Sequence, residues 1–434
     1  MNLIIQNGRI LDPARNKDEV ADLLIEDGCI RSVAAPGTIQ LRDAEVFDAR
    51  GRWVTPGLID IHVHLRDPGQ EYKEDIGSGA RTAAAGGFTA MVAMPNTQPV
   101  IDNAEMVRYV AERGQQVGLC RVLPTGAVTA GQAGEGLAPF AEMKRAGAVA
   151  VTDDGHPVAD PQVMRRALEY TQDFDLVVMS HAEEPRLSMS GHMHEGAIST
   201  GLGLRGIPGA AEDVAVGRDL SLAELTGGRL HIQHVSTARS VELVREAKAR
   251  GLRVTAEATP HHFSLNHEAV VGYDTSTKVN PPLREESDRQ AVVDGLKDGT
   301  LDAIATDHAP HSSVEKDVAF ADAENGVIGL QTALPLALQL WRNGDLQLLQ
   351  VIERLTSGPA RVLGLPHGTV GEGAIADVTI INPEAEWTLS DETNLSKSRN
   401  SPFWRRALMG RVEATIVAGK MVYHSTRNPV WSGI

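Results

Sequence analysis

Pro56-Gly57-Leu58-Ile59-Asp60-Ile61-His62-Val63-His64-Leu65-Arg66-Asp67-Pro68-Gly69 is the stretch on which the reading of the fold turns. Leu58, Ile59, Ile61 and Val63 make a short, largely β-branched apolar run with Pro-Gly at either end, the pattern of a buried strand. Side chains alternate along a strand, so His62 and His64 share a face, with Asp60 behind them. Two neutral imidazoles side by side at a strand end can chelate one metal ion. Arg66 follows on the same parity, where a guanidinium can clamp a carboxylate or phosphate. With 15 His in 434 residues a His-x-His arises readily by chance. His192-Met193-His194 is such a pair, set in a Gly/Ser/Met-rich stretch without a strand pattern. The first pair carries weight only if ligands stand at the ends of other strands.

Outward from this stretch, the middle of the chain alternates strand and helix patterns. Strands are expected at Leu58–His64, Thr89–Met94, Leu119–Pro124, Ala148–Thr152, Leu176–Ser180, Arg229–His234, Arg253–Glu257 and Asp302–Thr306. Helical patterns at Asn103–Arg113, Pro161–Gln172, Ala210–Thr226, Ser240–Arg250 and Glu285–Lys297 separate them. Eight β/α units over about 300 residues fit a closed (β/α)8 TIM-like barrel. A doubly wound sheet is the alternative, but no Gly-x-Gly-x-x-Gly follows the first strand. The first fifty-odd residues read differently, as short strands at Leu3–Gln6, Leu23–Glu26 and Ile30–Val33, with Asn7-Gly8 and Asp27-Gly28 as turns. That texture returns only in 376–381 and 414–423. Both ends are therefore expected to build one small β-sandwich domain, 1–55 plus 370–434, around an α/β barrel at 56–369.

Aromatic residues are only 4%, which argues against stacking platforms for single-stranded nucleic acid, and a net charge of −16 argues against binding nucleic acid or an anionic membrane. An anionic substrate would need local Arg or metal charge. Two cysteines, Cys29 and Cys120, make no disulfide framework, no signal peptide is evident, and no apolar run approaches a membrane span. A cytoplasmic location is expected.

Barrels keep their chemistry at the carboxyl ends of their strands. Here those ends read His62-Val63-His64, Pro95-Asn96-Thr97, Asp153-Asp154-Gly155, Ser180-His181-Ala182-Glu183, His231-Ile232-Gln233-His234 and Thr306-Asp307-His308-Ala309-Pro310-His311. A lone His at a strand end is more often structural; six strand ends carrying His, Asp or Asn reverse that. Imidazoles and carboxylates suit Zn2+ and related ions, and enough are present for two.

His62-Val63-His64-Leu65-Arg66-Asp67-Pro68-Gly69 and Ala305-Thr306-Asp307-His308-Ala309-Pro310-His311 resemble the two signatures of the dihydroorotases, within the cyclic amidohydrolase superfamily. Met94-Pro95-Asn96-Thr97, Asn280-Pro281-Pro282-Leu283-Arg284 and Lys397-Ser398-Arg399-Asn400-Ser401-Pro402-Phe403 extend the resemblance, which is closest to the long, bacterial class I form. It implies reversible cyclisation of N-carbamoyl-L-aspartate to L-dihydroorotate in pyrimidine synthesis, with a metal-bound hydroxide as nucleophile in the hydrolytic direction. It further implies that His62, His64 and Asp307 hold one Zn2+, that His181 and His234 hold a second, and that Asp307 shuttles the proton. Arg66, Asn96 and His311 would hold the substrate carboxylate, and Asn280 the ring; His64 belongs to the substrate contacts as well. A homodimer is the expected assembly, with aspartate transcarbamoylase as a candidate partner.

Two departures stand out. The superfamily often bridges its metals with a carbamylated lysine after strand four, but this chain has none there, and Lys144 lies upstream on the preceding helix. Asp154 is the expected bridge, with Asp153 the alternative, and one of the two sites could be weak. Glu324-Asn325-Gly326 stands where relatives carry Pro-Phe-Gly; Asn325 and Gly326 are still expected to meet the substrate through their backbone. His156, His231, His261, His262, His267, His367 and His424 are assigned to surface or packing, and 192–206 to a long loop. The rival readings are a hydantoinase or allantoinase, which usually keep the lysine and lack Arg66, and an inactive scaffold for aspartate transcarbamoylase, which would have lost ligands.

Overall fold

The computed structural model describes residues 2–41 and 43–426. Eight short parallel strands form the barrel: Leu58–Val63, Phe88–Ala93, Arg121–Pro124, Val151–Thr152, Val178–Ser180, Leu230–Ile232, Val254–Ala258 and Ala303–Ile304, referred to below as barrel strands one to eight. Strands one to three pair in order, as do four to eight. Two single bridges close the ring, Gly126 with Val151 between strands three and four and His308 with Val63 between eight and one. Ile59, Ile61, Ala90, Val92, Met94, Val177, Met179, Ala303 and Ala305 form one buried cluster drawn from strands one, two, five and eight. Strand one is buried along its whole length, as its apolar run implies.

The surrounding helices begin where their caps direct. Asn103 accepts from Glu105 N and Met106 N to start Ala104–Val117, Asp160 caps Pro161–Tyr170, and Thr237 caps Ala238–Ala249. The helix Ile76–Ala85 escapes the periodicity because it is built of Gly, Ala, Ser and Thr with few large apolar side chains to mark a face. Ala333–Arg342 and Leu348–Leu355 were likewise not anticipated. His192-Met193-His194 is not plain loop: Met193–His194 pairs with Gly206–Ile207, and buried Arg284 binds both His194 Nδ1 and the Ile207 carbonyl. The pair is a packing device. No helix among the described residues is long and apolar enough to cross a membrane.

The chain ends build one eight-stranded sheet in which strands 17–26 and 29–34 lie toward one end and 407–417 and 420–424 toward the other. The sheet folds over, because Gly28 of one terminal hairpin lies against Ala418 and Gly419 of the other. Ile5, Leu23, Ile25, Ile30, Val54, Val378, Ile380 and Ile416 fill the space inside, so the sandwich is made from a single sheet. Asp27 and Gly28 make the expected turn, both with positive φ. Asn7-Gly8 does not turn the chain: the strand runs from Leu3 to Asp12 through a bulge, with Asn7 at φ 59° and its N–H given to Asp22 Oδ1. The sheet is fixed to the barrel by Arg121, whose guanidinium spans both Asp377 oxygens at 3.1 Å, and by Thr379 and Thr415, which donate to Gly87 O and Ala84 O. Residues 427–434 of the expected terminal domain lie outside the described residues.

Candidate metal centre

His62 and His64 close strand one with ring centroids 5.5 Å apart, on one face as their spacing requires. His62 is fully buried, and its Nδ1 lies 2.7 Å from Glu257 Oε1 at the end of strand seven. His64 Nδ1 lies 2.8 Å from Asn96 Oδ1 after strand two. In both rings the outer nitrogen faces an acceptor, so the Nε2 lone pairs are turned inward. They converge on two carboxylates. His62 Nε2 is 3.3 Å from Asp154 Oδ1 and 3.5 Å from Asp307 Oδ1; His64 Nε2 is 3.2 Å from Asp154 Oδ2 and 3.0 Å from Asp307 Oδ1.

A second group shares Asp154. Its Oδ1 lies 3.6 Å from both His181 Nδ1 and His234 Nε2, which are 2.8 Å from each other. Two groups with the spacing to hold a metal ion, His62, His64, Asp154 and Asp154, His181, His234, are all buried. Four ligands about 2.0–2.1 Å from a zinc ion stand roughly 3.3 Å apart in a tetrahedron, and the first set has that spacing. His62 Nε2 and Asp154 Oδ1 are buried without a hydrogen-bond partner, although each is surrounded by polar atoms. Unpartnered electron-pair donors converging on one point fit a bound cation. Burial opposes the charge on Asp154, yet His62, His181 and His234 hold its carboxyl well below the usual carboxylate range. Burial opposes it at Asp307 too, and His62 and His64 hold that carboxyl low as well.

Asp153 faces elsewhere. Its side chain accepts from Val128 N at 2.7 Å, Thr129 N at 3.1 Å and Thr129 Oγ1, so it anchors the segment after strand three. Asp154 is the residue between the two sets. Lys144 sits exposed on the helix Phe140–Ala146.

Beside the centre is a cavity of about 210 Å3 lined by His64, Arg66, Asn96, Asn280, His311 and Asn325, with Gly326, Asp154, His181, His234 and Asp307 completing its wall. Every residue anticipated for the site reaches this cavity except His62, which lies just beneath it. Arg66 donates to the Pro310 carbonyl and has Nη2 3.1 Å from His311 Nε2. Burial, then the positive charges of Arg66, Lys73 and Lys316, push His311 down to about 2, so the ring is neutral. Asn280 gives its amide N–H to Glu183 Oε2 at 2.7 Å, leaving its Oδ1 without a partner among the described residues. Asn400, from the 397–403 motif, accepts from His311 N and donates to the Ala309 and Gly326 carbonyls. Arg66, His234 and Asp307 all hold positive φ, at 60°, 32° and 47°, a concentration of unfavourable backbone that marks functional sites.

Three residues of the site were not singled out from sequence. Glu257 links His62 to His231, whose Nε2 lies 3.1 Å from the other carboxylate oxygen. Glu183 stands beside His181 Nε2 at 3.5 Å and holds Asn280. His156, assigned to surface or packing, is exposed but lines the cavity. The position of Glu257 at a strand end was the available signal.

The model of the Dihydro-orotase-like family matches residues 51–240. The chain is 56% identical to a dihydroorotase of Syntrophotalea carbinolica, covering 98% of this chain and 99% of that one. It is 52% identical to a dihydroorotase of Pelobacter propionicus and 54% to one of Anaeromyxobacter dehalogenans, with coverage of 97% or more. Among solved structures, the L-hydantoinase of Arthrobacter aurescens superposes with a TM-score of 0.87 at 24% identity, over 98% of this chain and 96% of that one, and a D-hydantoinase with 0.83 at 24% identity; both are likenesses of fold. With two sets of buried ligands at the mouth of its barrel and this similarity along nearly its whole length, the chain belongs to the dihydroorotase family of metal-dependent cyclic amidohydrolases.

Proposed function

We infer that the chain catalyses the reversible cyclisation of N-carbamoyl-L-aspartate to L-dihydroorotate in pyrimidine biosynthesis. The observation that carries this reading is the placement of Arg66 beside neutral His311 on the wall of the cavity that also holds His64, Asp154 and Asp307. A guanidinium there gives a carboxylate-bearing ring a fixed seat in a protein whose net charge of −16 repels it. His62, His64 and Asp307 would hold one zinc ion and His181 and His234 the second, with Asp154 shared between them. When bound, the pair of zinc ions would supply Lewis-acid polarisation of the ring carbonyl and activation of water.

Asp307 is the proton carrier. Its carboxylate stands on the cavity wall, within reach of a bound ring, as a proton acceptor requires. In the hydrolytic direction Asp307 takes the proton from the attacking oxygen and returns it to the departing ring nitrogen; in cyclisation the order reverses. Asn96 orients His64 and meets the substrate carboxylate together with Arg66 and His311. The unpaired Oδ1 of Asn280 is an acceptor for a ring N–H. Backbone groups of Asn325 and Gly326 complete the seat. We also propose 1–55 plus 370–434 and 56–369 as the two domains, on the support of the separate sheet that the chain ends share.

The test is turnover of L-dihydroorotate by the purified, zinc-loaded protein, with hydantoin as the control ring lacking the carboxylate. Arg66→Ala should lower kcat/KM for dihydroorotate about 100-fold by removing charge-assisted contacts. It should leave the metal content unchanged. Equal turnover of hydantoin, or an Arg66→Ala variant as active as the parent, would sink this reading.

A further inference from the structure

Residues 321–326 bring Asn325 and Gly326 to the cavity without forming a helix or strand. Their carbonyls must find donors elsewhere. Side chains supply them. Lys278 Nζ donates to Ala321 O at 2.8 Å and Ala323 O at 2.6 Å, and Lys316 Nζ donates to Glu324 O at 2.6 Å and Thr275 O at 2.9 Å. His311 Nε2 lies 2.9 Å from Asn325 O, and Asn400 Nδ2 is 3.0 Å from Gly326 O. The loop is then tied back by Gly326 N, which donates to the Lys278 carbonyl.

Both lysines are buried, 5% and 7% exposed, and among the described residues neither has a carboxylate in direct contact, although Glu324 and Asp322 act on Lys278 and Asp274 and Glu324 on Lys316 from farther off. An ammonium taken out of water without a carboxylate in contact is costly, and it persists where several acceptors surround it. Here the acceptors are loop carbonyls, so each Nζ does for the backbone what a bound cation would do. We propose that Lys278 and Lys316 are positioning residues, whose Nζ donors hold 321–326 in the shape that offers Asn325 and Gly326 to the substrate. The proposal rests on the reading of the cavity as the dihydroorotate site. It also gives a route from Lys316 to the carboxylate seat, because Glu324 precedes Asn325, whose carbonyl orients His311 beside Arg66. The charge of Lys316 is among those that keep His311 neutral.

Lys316 also borders a second cavity, of about 520 Å3, with Thr275, Ser276 and Ser313. Chemical rescue is therefore possible. Lys316→Ala lacks three carbons and the ammonium, the composition of n-propylammonium. At pH 6, where Lys316 keeps its proton, Lys316→Met and Lys278→Met should each raise KM for dihydroorotate about tenfold while kcat changes less than about threefold, with metal content unchanged. Amide exchange of the 319–326 peptide, measured without substrate, should quicken in both variants. Added n-propylammonium should restore KM and exchange protection to Lys316→Ala, and n-propanol should not. Parental exchange and KM in both Met variants would overturn the proposal, as would equal rescue by n-propanol, since volume and not charge would then be what matters. Should Lys316→Met fail to fold, Lys278→Met and the rescue of Lys316→Ala carry the same decision. Absence of dihydroorotate turnover in the parent protein would defeat the functional reading instead, and the exchange measurement would still judge the loop.

Discussion

Two adjacent aspartates do different work because consecutive side chains leave a strand end in opposite directions. Asp154 lies between two sets of imidazoles, while Asp153 is spent on Val128 N, Thr129 N and Thr129 Oγ1. Asp154→Ala should therefore lose at least one metal ion per chain. Asp153→Ala should keep its metal and lose stability, by about 1–3 kcal/mol, because buried donors are stranded. Metal analysis and thermal melting of the two variants check this. Because no carbamate has to form, apoprotein should regain full activity with zinc in CO2-depleted buffer. A requirement for bicarbonate would contradict Asp154 as the bridge. Lys316 offers a pH-dependent counterpart. Burial, then Lys278 beside it, push its ammonium from 10.5 down to about 7, against Asp274 and Glu324. Below that pH both folded and unfolded chains carry the proton and the burial cost is full. Between about 7 and 10.5 the folded protein sheds a proton that the unfolded chain keeps, so stability rises with pH. The melting temperature of Lys316→Met minus that of the parent should thus be most favourable near pH 6 and decline toward pH 9. A difference that does not change with pH would place the Lys316 proton outside this window.

Strand one does more than carry ligands. Asp60, on the face of His62, accepts from Thr306 N at 3.1 Å, Thr306 Oγ1 at 2.6 Å and His62 N at 3.1 Å. Strand eight spans only Ala303–Ile304, and its direct pairing with strand one is the single Val63–His308 bridge. One buried carboxylate thus joins the ends of the barrel where backbone pairing is thin. Asp60→Ala leaves three buried donors without an acceptor and should destabilise the protein by about 2–4 kcal/mol. Urea unfolding should show a lower midpoint with an unchanged slope. The same joint sets His62 against Asp307, so metal affinity should fall with it.

At the scale of the molecule, four imidazoles and two carboxylates are gathered within one barrel mouth, at a cost that a bound cation would offset. Chelation should lower the melting temperature, and zinc should restore it in proportion to the logarithm of its free concentration, about 2.7 kcal/mol at 100 times Kd. A melting curve indifferent to chelator would argue against a metal held by these residues. The charge problem is solved locally too. A chain of net charge −16 sets Arg66 on the wall of its cavity, with the charges of Lys73 and Lys316 near enough to act on His311 beside it.

Period-two alternation sufficed to put His62 and His64 on one face, eight strand–helix units sufficed to identify a barrel, and polar residues at its strand ends pointed to a metal centre. Those features are local, set by a few neighbouring residues, so the sequence determined them. Which of Asp153 and Asp154 turns inward depended on where Val128 and Thr129 stand, and that is decided by strand packing. Glu257 meets His62 across 195 residues, and Lys316 meets Glu324 only because the loop between them folds back. The bulge at Asn7-Gly8 was misread as a turn because the same backbone angles serve both, and only the partner strand distinguishes them. Local chemistry wrote the candidate ligands into the sequence; which partners hold them in place is a property of distance in space, which the tertiary structure alone decided.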